Sequence, residues 1–229
     1  ALTTHDGPFN WEGEHFHYRQ VNVWPRPYQS PHPPVWMTVM SPGSAAEAGS
    51  RGYSIASLNT GYLRTPEIFE GYRQAAADAG REAPKERFGY LAIVGVGDTD
   101  EEGKRRADQI LDYSRTTPRA ASQFWFPPGY TSNEITAQML YNRGPNMIPL
   151  RNGGEFKMQF GTVDEFIDAG VAFAGNPDTV FEQIKEFHQH VGGLGQLLMM
   201  GQGGHISHHD TVSNLQLFSK EVLPRLADL

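Results

Sequence analysis

The chain has no cysteine among its 229 residues, so no disulfide framework, thiolate metal site or cysteine nucleophile is available to it. It has no excess of basic charge either: 19 Lys and Arg against 26 Asp and Glu leave a net charge of −7. An acidic surface repels phosphate backbones and argues against nucleic acid as a partner. No apolar run approaches the ~20 residues needed to cross a bilayer. The first residues, Ala-Leu-Thr-Thr-His-Asp, carry neither the basic nor the apolar segment of a secretory signal. A cytoplasmic location without membrane contact is the expectation. Internal repeats and low-complexity linkers are also missing, so the whole chain, 1–229, reads as one domain. The nine histidines include no HExxH spacing, and His188 and His190, two apart on a helix, point to different faces; no metal is expected.

What is present begins with proline and aromatics. Residues 10–18 read as a hairpin with Glu12-Gly13-Glu14 at its turn. Trp24-Pro25-Arg26-Pro27 and Pro31-His32-Pro33-Pro34 follow, a density of proline that holds the backbone extended as a stiff strap. Strand-like runs at 35–40, 53–58, 88–96 and 197–200 then alternate with amphipathic helices. Ser44-Ala45-Ala46-Glu47 has capping-box spacing, Thr65-Pro66 reads as a helix start, and Thr99-Asp100-Glu101-Glu102 is a further capping box. Helices are also expected over 162–169, from Asn176-Pro177 onward with Val180, Ile184, Phe187 and Val191 buried, and over 210–226, with Val171 to Phe173 a short extended stretch between the first two. Residues 115–161 break the rhythm and read as an insertion, rich in Pro, Gly, Asn and aromatics.

Fully apolar strands alternating with helices indicate a parallel sheet in an α/β protein. No Gly-x-Gly-x-x-Gly follows the first strand, which removes the main support for an open dinucleotide-binding sheet. An eight-stranded barrel takes about 250 residues before insertions. The four strand-like runs therefore suit a TIM (β/α)8 barrel whose N-terminal strands lie upstream of Ala1, and the lack of a starting Met agrees.

Three segments resemble the bacterial-luciferase-like family of flavin monooxygenases. The first is Phe9-Asn10-Trp11-Glu12-Gly13-Glu14-His15-Phe16, continued by Trp24-Pro25-Arg26-Pro27 and Pro33-Pro34-Val35-Trp36. The second is Ser41-Pro42-Gly43-Ser44-Ala45-Ala46-Glu47-Ala48 with Gly52-Tyr53. The third is Ala174-Gly175-Asn176-Pro177-Asp178-Thr179-Val180, then Leu217-Phe218-Ser219-Lys220-Glu221-Val222-Leu223-Pro224. The resemblance implies a luciferase-type barrel, reduced FMN delivered by a separate flavin reductase, reaction with O2, a small organic substrate and a homodimer. It implies a flavin phosphate near the turn after barrel strand five, which maps to Met40, Ser41 and Ser44; luciferase itself carries a carboxylate at the position of Met40. The family's catalytic histidine belongs to the first half of the barrel and has no counterpart here, so the catalytic residues are unknown.

Read from the residues alone, Ser41 and Ser44 precede a helix whose free N–H groups and dipole favour an anion, and Ser44 is equally an ordinary N-cap. Gly201-Gln202-Gly203-Gly204 after a buried strand is either a second phosphate cradle or a plain turn. His205 beyond it contacts flavin or substrate, or is a solvated loop histidine. Phe124, Trp125, Phe126 and Tyr130 supply an apolar lid over the site, or a satellite packing cluster. Asp98 ends a strand, where a turn role outweighs acid–base chemistry. The leading expectation is an FMNH2-dependent monooxygenase. The alternatives are an F420-dependent oxidoreductase of the same fold and a non-catalytic flavin-binding or structural half-barrel that dimerises to cover its edges.

Overall fold

The structure is a computed structural model, and it describes residues 7–30, 32–116, 134, 137 and 147–229. Contacts divide the chain into two compact units, Ala1–Trp36 and Met37–Leu229.

In the first unit, β1 (Phe9–Glu12) and β2 (His17–Val21) form the antiparallel hairpin, with Trp11 opposite Tyr18 and Glu12 opposite His17. Gly13 N–H donates to the Phe16 carbonyl at 2.9 Å, so the turn falls slightly later than the sequence predicts. One face carries Trp11 and Tyr18, and the Glu12 carboxylate meets His17 Nδ1 at 2.8 Å on the other.

In the second unit the sheet is built around β5 (Phe88–Val96), the nine-residue apolar run. β4 (Ser54–Leu58) pairs in parallel with Phe88 to Leu91, β9 (Gln196–Met200) with Gly89 to Ile93, and β8 (Ala172–Gly175) with Ile93 to Val96. Leu91 is shared by β4 and β9, which therefore occupy opposite edges. Ile93 is shared by β8 and β9, so β8 continues the edge that β4 leaves after Leu58. β3 (Trp36–Val39) lies beyond β4. Where β9 ends, the buried side chain of Asn214 completes its edge. Its Oδ1 accepts from Val96 N–H at 2.6 Å, and its Nδ2 donates to Val94 O at 3.0 Å and Gly201 O at 3.1 Å.

Helices cover both faces. α1 (Pro42–Arg51), α2 (Gly61–Asp78) and α5 (Pro177–His190) share one core, in which Phe88, Tyr90 and Val94 meet Ile55, Phe69, Tyr72, Ile184 and Phe187. α3 (Asp100–Thr116) and α4 (Val163–Asp168) form a second core with Ile93, Ala172 and Ala174, on the alternate residues of the same strands. β5 turns back through α3 to β8 on the β4 side, and a right-handed crossover in that direction places α3 on the opposite face. Gly95 and Gly97 make the approach possible: a Cβ at either would fall onto the α3 backbone around Gly103. α3 stops short of the other half of that face, where Ala56, Leu58 and Leu91 stay half-buried and Leu198 is 39% exposed.

Several boundaries differ from expectation for local reasons. α1 begins at Pro42 with Ser41 as N-cap, because a proline without an N–H suits the first helical position; the capping box joins Ser41 to Ser44 rather than Ser44 to Glu47. α2 begins at Gly61, not Thr65, so Pro66 lies inside the helix. Pro66 has no N–H for the Tyr62 carbonyl, and His190 Nε2 donates to that oxygen instead at 2.9 Å. The final helix is α6 (His208–Leu217), a π turn over Phe218–Val222, and α7 (Leu223–Leu226). Pro224 cannot bond the Lys220 carbonyl, which accounts for the widened turn. Within the expected insertion, α3 runs on to Thr116, and β6 (Met147–Pro149) and β7 (Glu155–Lys157) form a short antiparallel hairpin.

Replacing Asn214 with Ala leaves Val94 O and Val96 N–H buried without partners. The variant is expected to lose about 2–4 kcal/mol in urea unfolding, since each orphaned buried group costs ~1–3 kcal/mol; a loss under ~1 kcal/mol would mean that water reaches this edge.

Candidate functional site

The C-terminal strand ends are not equally open. At β5 and β9 they are used for packing. Arg106, 2% exposed, donates from Nη1 to Val96 O at 2.5 Å and from Nη2 to Glu102 Oε1 at 2.7 Å and Ser213 Oγ at 3.1 Å. Arg105 forms a pair with Asp210, with distances of 3.2 and 3.3 Å. Asp98 is exposed, and its N–H donates to Glu102 Oε2 at 3.0 Å, a turn and capping role. The glycines after β9 lean on α3: a Cβ at Gly204 would fall onto the Gln109 carbonyl, and one at Gly203 would meet Ile110. His205 follows them, donating its N–H to Gln109 O at 3.3 Å and placing Nδ1 2.9 Å from Asp112 Oδ2. It is 62% exposed and tied to α3.

The β3 and β4 ends carry less of this load. Met40 is 56% exposed. Ser41 and Ser44 close a reciprocal cap, with their hydroxyl oxygens 3.1 Å apart. Ser44 N–H donates to Ser41 Oγ at 3.3 Å, and Ser44 Oγ donates to Ser41 O at 2.9 Å. One donor at this helix start, the Gly43 N–H, is left for a ligand beside a first turn that holds no acidic residue; the Ser41 hydroxyl donates to Ser44 Oγ and supplies a second donor on turning away from it. Asn59, at the end of β4, has φ +55°, a left-handed conformation that Asn tolerates better than most residues. The structure thus keeps Met40, Ser41 and Ser44 together at one strand end and holds His205 on α3. Phe124, Trp125, Phe126 and Tyr130 lie outside the described residues.

The sequence reading missed the polar groups that position these elements. Tyr90, fully buried, accepts from Gly61 N–H at 3.1 Å and donates to Gly170 O at 2.8 Å; burial pushes its phenol far up. The Tyr62 phenol is pushed up to about 12, chiefly by burial, with the Arg151 guanidinium 3.8 Å from its ring opposing the shift. Arg151 also bonds Glu186 at 2.6 Å and the Asp168 carbonyl at 3.0 Å, fastening the β6–β7 turn to α4 and α5. Asp100 joins the starts of α3 and α5: the Asn176 N–H first, then the Thr179 hydroxyl, hold its carboxyl below the usual range. A polar residue inside an apolar helical stripe, as Arg106 beside Ala107 and Ile110, was the available signal.

Among the described residues no helix is long and apolar enough to cross a membrane, and no group of three or more His, Asp or Glu is placed to hold a metal ion.

Comparison with known proteins agrees with this architecture. The model of the luciferase-like monooxygenase family matches residues 1–192, and the chain belongs to that family. It is 26% identical over 182 residues to 3,6-diketocamphane 1,6-monooxygenase of Pseudomonas putida, covering 78% of this chain and 43% of that protein. A solved structure of the oxygenating constituent of 3,6-diketocamphane monooxygenase from Pseudomonas putida, a type II Baeyer–Villiger monooxygenase in complex with FMN, superposes with a TM-score of 0.59 at 23% identity, over 95% of this chain and 58% of that one. An F420-dependent secondary alcohol dehydrogenase superposes with a TM-score of 0.60 at 14% identity, over 97% and 57%. These structural likenesses show the luciferase-like barrel fold. The chain spans less than half the length of the curated relatives it matches.

Asp100 and Asp210 are both held low, Asp210 mainly by Arg105. Folded values below the unfolded value near 3.8 give stability that is present above it and lost as pH falls through the folded values. The double substitution Asp100→Asn with Asp210→Asn is expected to flatten the fall of Tm below about pH 4. An unchanged acid limb would assign that fall to other carboxylates.

Proposed function

We propose that this chain is the flavin-binding C-terminal portion of an FMNH2-dependent monooxygenase that uses O2 to oxygenate a small organic substrate, with reduced flavin supplied by a separate reductase and the protein acting as a cytoplasmic homodimer. Family membership over residues 1–192 is the observation that carries the reading. The start of α1 is the phosphate-binding element. A dianionic phosphate fits its donor set: the Gly43 N–H, the Ser41 hydroxyl once turned from Ser44 Oγ, and an axial dipole that no first-turn carboxylate offsets. Gly43 has open space where a Cβ would stand. Met40 offers apolar surface beside it, and His205 is a substrate-side candidate. The cofactor, when bound, supplies the electrons for reduction of O2. The protein's part is to hold the phosphate and to exclude water, a role for which Phe124, Trp125, Phe126 and Tyr130 are the residues proposed.

A second reading keeps the site and changes the cofactor. The F420-dependent dehydrogenase superposes as well as the FMN complex, with TM-scores of 0.60 and 0.59, so hydride transfer to or from F420 is the alternative.

Anaerobic titration with FMNH2 and, separately, with reduced F420 tests both. FMNH2 is expected to bind saturably, and admission of air is expected to consume O2 in the presence of substrate. Preference for reduced F420 with no O2 uptake would select the alternative; binding of neither would reject the site. Ser44→Glu is a sharper test. A glutamate three residues after Ser41 completes a stronger capping box and leaves Tm unchanged or raised, while its charge is expected to weaken FMNH2 about tenfold or more. Unchanged affinity would place the phosphate elsewhere.

A further inference from the structure

At the opposite end of the sheet, where β9 begins, a cleft of about 570 Å³ opens between α5, the π turn and α7. Its walls are Ile184, Leu194, Leu197, Phe218 and Leu223, and Leu223 is 52% exposed. This volume is in the range of small-molecule sites, which are mostly apolar with a few placed polar groups. Two polar side chains, His188 and Gln196, reach the cleft. His188 Nδ1 lies 3.2 Å from Leu194 N and 3.1 Å from Leu194 O. The N–H of buried Leu194 has no other partner among the described residues, and an orphaned buried N–H is rarer than an under-satisfied carbonyl. Nδ1 is therefore the acceptor, and the ring proton sits on Nε2, which no group among the described residues takes up. The nearby Lys85 ammonium is engaged by Leu229 O at 2.6 Å.

We propose that this cleft binds a small, neutral, apolar carbonyl compound, a ketone or an aldehyde, whose oxygen accepts from His188 Nε2–H while its hydrocarbon part lies on Leu194, Leu197 and Phe218. A carboxylate is disfavoured because no Lys or Arg is among the described residues that line the cleft, the Lys85 ammonium is engaged by Leu229 O, and the chain carries a net charge of −7. The cleft lies away from the C-terminal strand ends and does not depend on the flavin reading.

The test is amide NMR of the 229-residue chain titrated in separate arms with 2-nonanone, nonane and nonanoate at about pH 7.5, where the added acid is ionised. 2-Nonanone is expected to give saturable shifts confined to residues 184–197 and 218–227. Nonanoate is expected to bind at least about tenfold more weakly. His188→Asn keeps an acceptor for Leu194 N–H but lacks Nε2, and is expected to weaken the ketone about fivefold. Ala227→Trp, at the exposed rim, is expected to abolish the shifts without altering Tm. The proposal is overturned if nonanoate or nonane binds as tightly as the ketone, or if no arm gives shifts. It is also overturned if the shifts fall on residues 40–44, or if the cleft amides move with protein concentration alone, which would make a second copy the occupant. Residues 40–44 report separately on the flavin site, so the two readings fail independently.

Discussion

The structure depends on β5 being paired along both edges and buried on both faces. Phe88, Tyr90, Ala92, Val94 and Val96 feed one core and Ile93 the other, and Gly95 and Gly97 let the α3 backbone lie directly on the sheet. Each strand that reaches β5 covers only part of it, so continuity comes from substitution: β8 takes over from β4, and the Asn214 amide takes over from β9. A parallel strand tolerates no exposed gap in such a position, because each unmet N–H or C=O would be buried without water.

That constraint also sets where a ligand can sit. The C-terminal ends of β5 and β9 are filled by the Arg106–Glu102–Ser213 network, by Asn214 and by the glycines leaning on α3. The Ser41 cap stands at the end of β3, which carries no such network among the described residues, while beyond Asn59 the end of β4 is tied by the buried Thr60–Thr65 pair and the Gly61–Tyr90 contact. Electrostatics point the same way. α1 opens without an acidic residue, whereas Asp100 and Glu101 open α3 and Asp178 opens α5. α2 also opens without an acidic residue, but its first N–H groups are taken by the Tyr90 hydroxyl and the Ala169 carbonyl, so α1 is the helix start at these strand ends whose positive end stays available to an anion.

Much of the fold was legible because a single local cause decided it. The uninterrupted apolar run gave β5, and Val180, Ile184, Phe187 and Val191 at helical spacing gave the buried face of α5, all four of which are buried. The motif strings around Ser41 and Asn176 carried the family. Other features rest on distant partners. Pro66 reads as a helix start because nothing local shows that His190 will take the Tyr62 carbonyl. Residues 171–173 read as a short extended stretch, since their place on β5 depends on where β4 stops. Arg106 stands out only as a polar residue in an apolar stripe, and Asn214 looks like an ordinary helix residue, until the groups they satisfy, Val96 O, Val94 O and Gly201 O, are brought beside them. For the site, residue types and helix position pointed to Ser41 and Ser44, but the reciprocal cap that leaves the Gly43 N–H available emerges only in three dimensions.

The central claim is that the start of α1 holds the phosphate of a reduced flavin. Anaerobic competition between reduced FMN and reduced riboflavin, which differ only in that phosphate, tests it most directly when amide shifts at Ser41, Gly43 and Ser44 are followed together with affinity. The account predicts that FMN binds at least about tenfold more tightly and moves these amides, while riboflavin leaves them in place. Equal affinity for the two flavins, or tight FMN binding with residues 41–44 unmoved, would contradict it.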